Sequence, residues 1–95
     1  MNKIERIKRM ERHLDRASQA VIKLSAALDD YEAAQEAIHQ LSAYYDSDDW
    51  KKDFADDEQG RLPKDLKRGV LSEDGIWNLL EDRREVNRRM QQLLS

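Results

Sequence analysis

All three glycines (Gly60, Gly69, Gly75) and the single proline, Pro63, fall between residues 60 and 75, and the first 59 residues contain neither. Gly and Pro are the strongest interrupters of regular structure. Their placement predicts a long uninterrupted helix, a turn-rich middle and a C-terminal helix.

Apolar periodicity supports that division. Ile7, Leu14, Val21 and Leu28 are seven apart, and Met10, Ala17, Leu24, Tyr31, Ile38 and Tyr45 form a second row three residues behind. Together they read as the a and d positions of a heptad seam. Ala20, Ala27, Ala34 and Leu41 flank it, and the first row turns polar at Gln35 and Ser42. The expected helix covers about 3–45, with a break near Asp29–Asp30 as the main alternative, because Asp29 and Glu32 have the spacing of a capping box.

Ser47 has the chemistry of an N-cap, with Asp48 and Asp49 in the first turn where carboxylates oppose the helix dipole. A short helix over 48–59 closed by Gly60 follows, then a helical piece over 63–68 stopped by Gly69. Ser72 reads as the cap of the last helix, whose apolar side carries Ile76, Leu79, Leu80, Val86, Met90, Leu93 and Leu94. The expectation is one all-α domain over 1–95: long helix, short-helix middle over 47–71, and a C-terminal helix over about 72–94 returning antiparallel as a helical hairpin or small bundle. Five of the six aromatics lie between Tyr44 and Trp77. The expected core is Tyr44, Tyr45, Trp50, Phe54, Leu62, Leu66 and Trp77.

Charge is segregated. Residues 1–28 carry seven Lys/Arg against three acids, residues 29–59 eleven acids against two lysines, and residues 60–95 eight basic against six acidic groups. A chain with basic ends and an acidic middle is suited to pairing with itself. Apolar residues are only 39% of a 95-residue chain. So lean a core favours a supplementary source of stability such as self-association. With no cysteine, disulfide and thiolate chemistry are excluded. The charged N-terminal segment has no apolar signal region, and no run approaches the roughly 20 apolar residues of a membrane span. A cytoplasmic protein with no membrane partner is the expectation.

No constellation implies catalysis, a metal or a cofactor. An EF-hand loop begun at Asp46 fails at its fifth position, Trp50, and at its sixth, where Lys51 replaces the required glycine. His13 and His39 have no second ligand three or four residues away. Gly69 and Gly75 flank Ser72 without the spacing of a phosphate loop. The expectation is a non-enzymatic protein that uses no cofactor.

The candidate surfaces are for macromolecules. Ile7, Met10, Leu14, Val21, Leu24 and Leu28 form a candidate protein interface, its occupant a second copy or another helical protein. Lys64, Asp65, Lys67 and Arg68 form a charged, turn-bound candidate surface motif. Nucleic acid is the less favoured alternative partner, through Lys3, Arg6, Lys8, Arg9, Arg12 and Arg16 on the basic first helix. Arg83, Arg84, Arg88 and Arg89 near the C-terminus are interleaved with Glu81, Asp82 and Glu85, which suits a salt-bridged face.

Residues 50–58 read WKKDFADDE and residues 62–75 read LPKDLKRGVLSEDG. These segments resemble a family of small bacterial proteins, mainly Gram-positive, designated domain of unknown function 4298. The resemblance spans nearly the whole chain. It implies a bacterial, cytoplasmic, stand-alone protein, and it carries over no activity and no site residue.

Overall fold

A computed structural model describes residues 2–95. The described residues are all-helical, with no strand: α1 Lys3–Ala33, α2 Gln35–Tyr45, α3 Asp48–Glu58, a 3₁₀ turn Gly69–Leu71 and α4 Gly75–Leu94. The chain divides into two compact units, one ending at Gln35 and the other running from Glu36 to Ser95.

The first unit is α1. Asn2 caps it, its Oδ1 accepting the Glu5 backbone N–H at 2.8 Å. The helix then runs for 31 residues, or about 47 Å at 1.5 Å per residue. The interruption falls at Ala34, and Asp29 and Asp30 both lie inside α1. Ala34 keeps near-helical angles (φ −81°, ψ −8°) and its N–H bonds to the carbonyls of Asp30 and Glu32. Beside it, the Gln35 side-chain amide donates to the Tyr31 carbonyl at 2.9 Å. That carbonyl is the acceptor a continuous ladder assigns to the Gln35 backbone, and such side-chain insertion is a recognised cause of helix interruption.

In the second unit Ser47 caps α3 as its sequence implies. Its hydroxyl accepts the Trp50 N–H at 3.2 Å and donates to the Tyr44 carbonyl at 2.6 Å. At the other end Gly60 adopts φ +69°, the left-handed conformation glycine takes without a Cβ penalty. The Arg61 N–H then bonds Asp56 O at 2.9 Å and the Gly60 N–H bonds Asp57 O at 3.1 Å. These two bonds are the Schellman stop, which satisfies carbonyls the helix would otherwise leave open.

Two local expectations change. Residues 63–68 form a turn, closed by the Leu66 N–H on the Pro63 carbonyl at 3.2 Å, and the helical piece is the 3₁₀ turn that follows. Arg68 leaves helical geometry (φ −127°, ψ 25°), so the segment between Pro63 and Gly69 is too short to propagate a helix. The last helix begins at Gly75, three residues after Ser72, which is extended. The Ser72 hydroxyl still satisfies the opening donor, accepting the Gly75 N–H at 3.0 Å while donating to Gly69 O at 2.9 Å.

The core also differs. Its buried members are Ile38, Leu71 and Ile76, at 7%, 5% and 3% exposure. Tyr44, Tyr45, Trp50, Phe54 and Leu62 are half-buried, whereas Leu66 and Trp77 are about half exposed, at 48% and 51%. Successive helix residues point about 100° apart, so burying Ile76 turns its neighbour Trp77 outward. Trp50 is the hub of the aromatic group. It meets Tyr45 edge-on at 5.0 Å and stacks on Phe54 at 5.1 Å, and its Nε1–H donates to the Val70 carbonyl at 2.9 Å.

Candidate functional site

No residue of α1 is buried. Every candidate interface residue is exposed, from Leu28 at 42% to Val21 at 67%. Helical spacing places Ile7, Met10, Leu14, Val21, Leu24 and Leu28 along one stripe. Contiguous apolar surface of this kind is characteristic of an association site. Ile4 and Ile22 are exposed as well and belong to neither heptad row. Ile4 lies three residues before Ile7 and extends the stripe, a relation that the i,i+3 rule makes readable from sequence. Ile22 follows Val21 directly and points to one side of the seam.

The charged motif is divided by the fold. Lys64, Asp65 and Lys67 are exposed in the turn. Arg68 is half-buried and its guanidinium donates to the Asp57 carboxylate at 2.9 Å. Arg68 is therefore a tie between the connecting segment and α3 and does not extend the exposed trio.

The acidic middle holds more than the first-turn carboxylates Asp48 and Asp49. Three of its carboxylates have defined partners: Asp57 with Arg68, Asp56 with Arg61 at 3.1 Å, and Asp53 accepting the Tyr44 phenol at 2.7 Å. These partners lie five to eleven residues away in sequence, outside the i,i+3 and i,i+4 range that a helical reading inspects. Among the described residues no three of His, Asp or Glu are grouped so as to hold a metal ion. No helix among them is long and apolar enough to cross a membrane.

Tyr44 is the group most altered by its surroundings. Burial, then the hydrogen bond to Asp53, then the negative charges of Asp53 and Asp49 push its phenol up to about 12. The unfolded chain releases this proton near 10, and the folded chain holds it until about 12. The associated stability is complete below pH 10 and is lost as pH rises from about 10 to 12. Urea midpoints across that range should fall more steeply for the native protein than for Tyr44→Phe. Parallel curves would remove the Tyr44–Asp53 pair as the cause.

On α4, Arg84 donates to Glu81 at 2.8 Å and Arg88 grips Glu85 through two nitrogens. The hydrogen bond from Arg88, aided by the charges of Arg88 and Arg89, holds the Glu85 carboxyl below its usual range. These exposed pairs add little stability.

A family model described as "Domain of unknown function (DUF4298)" matches residues 7–93. No curated protein and no solved structure matches the chain.

Proposed function

The chain belongs to the DUF4298 family, and we propose that it is a non-enzymatic, self-associating helical protein of the bacterial cytoplasm that dimerises through the apolar seam of α1. One observation carries this reading: Ile7, Met10, Leu14, Val21, Leu24 and Leu28 share a stripe on a helix that buries none of its residues. Fully burying an aliphatic side chain contributes about 1.5–3 kcal/mol, so six such positions on each of two copies are ample to drive association.

The charge distribution supports a second copy as the occupant. Residues 3–16 hold six basic groups and three acids, and residues 17–33 hold one lysine and three acids. A helix with a basic first half and an acidic second half is complementary to itself. In the same reading α4 returns antiparallel beside α2, tied to the rest of its unit through the 3₁₀ turn Gly69–Leu71 that α3 also meets.

Light scattering on material eluting from a sizing column, over a concentration series, tests the proposal. A mass twice that of the 11.2 kDa chain is expected. A chain that stays at single mass at every concentration would sink it.

A further inference from the structure

The seam also specifies how the two copies meet, an inference that rests on the self-association reading above. We infer that the α1 helices pair antiparallel, in the register that sets Leu14 against the partner's Leu24.

In an antiparallel pair each layer joins a residue of one heptad row to a residue of the other row. In the chosen register Met10 meets the partner's Leu28, Leu14 the partner's Leu24, and Ala17 the partner's Val21, while Ile7 reaches the level of the partner's Tyr31. Every first-row residue of α1 then faces a second-row residue. Sliding one copy by a heptad loses part of this. In one direction Leu28 comes opposite Lys3, and in the other Ile7 and Met10 run past the end of the partner's α1 at Ala33. The register also brings Ala17 and Ala20 to the two-fold axis, where small side chains let two helices approach closely.

The charge distribution agrees with the antiparallel direction. The basic first half of each α1 lies beside the more acidic second half of its partner, whereas a parallel in-register pair sets each charge level with its own copy.

The absence of native cysteine permits a direct test by thiol crosslinking of the full chain. Leu14→Cys and Leu24→Cys are made on chains carrying different tags, mixed, and oxidised. Met10→Cys with Leu28→Cys forms a second pair, should either leucine replacement weaken association. Both mixed samples should give a disulfide-linked product joining the two tags. L14C alone should stay uncrosslinked, because its two thiols would be about 15 Å apart along the axis. Self-crosslinking of L14C would establish a parallel pair and overturn the inference. So would a failure of both mixed pairs in samples whose mass is that of a dimer. A single-chain mass for the unsubstituted protein would overturn the self-association reading itself, which separates the two failures.

Discussion

Replacing Val21 and Leu24 together by Asp is expected to yield a single-chain mass at every concentration at which the native protein is a dimer. Each copy contributes both residues, so four aliphatic side chains lose their burial. At about 1.5–3 kcal/mol each the loss is at least about 6 kcal/mol. Since about 1.4 kcal/mol is tenfold, association weakens by more than about 10⁴-fold. Both positions are exposed in the single chain, at 67% and 52%, so α1 has no packed core to lose. Ile22→Asp is the control. Ile22 is equally exposed, at 68%, but lies beside the seam, and its replacement should leave the dimer mass intact. An unchanged mass in the double variant would dispose of the seam as the interface, and dissociation by Ile22→Asp would show that the seam is misplaced around the helix.

Gly75→Ala is expected to destabilise the second unit markedly. A Cβ at Gly75 would stand 2.5 Å from the Gly69 carbonyl oxygen and 2.5 Å from the Ser72 hydroxyl oxygen. The carbonyl belongs to the backbone and also accepts from the Ser72 hydroxyl, so it cannot move aside alone. Overpacking of this kind typically costs about 1–3 kcal/mol. With each kcal/mol worth about 4–8 °C in a domain of this size, Tm should fall by about 5–20 °C. Gly69→Ala supplies the comparison, because nothing lies within 4 Å of a Cβ there. Thermal melts in which Gly75→Ala and Gly69→Ala behave alike would refute the steric account.

The features legible in the sequence are those set by neighbours along the chain. Ser47 and Gly60 bound α3 through contacts within five residues, and the seam of α1 is a periodicity along a single helix. What escaped reading depends on groups brought together from a distance, or on one side chain's choice of acceptor. Large aromatics suggested the core, yet among the described residues the buried ones are Ile38, Leu71 and Ile76, where helix and turn geometry direct side chains inward. At the interruption beside Ala34 the Gln35 amide takes a backbone carbonyl, a choice no propensity encodes. Within the candidate surfaces, the seam was legible as a pattern. The tie from Arg68 to Asp57 was not legible, because that acceptor is eleven residues upstream. The family match over residues 7–93 encloses both WKKDFADDE and LPKDLKRGVLSEDG, the segments that carried the resemblance.

The lack of any buried residue in α1 has a consequence for how its backbone exchanges with solvent. In the single chain its amides are shielded only by helical hydrogen bonds, with no buried side chain to anchor any turn. Opening of such a segment costs little compared with global unfolding. Deuterium should therefore enter residues 3–33 quickly in dilute solution and slowly once the seam is covered. Amides around Ile38, Leu71 and Ile76 should exchange at a rate that does not depend on protein concentration. Limited digestion with trypsin would report the same difference, since α1 carries Lys and Arg along its first three-quarters, and a helix that opens easily is cut easily.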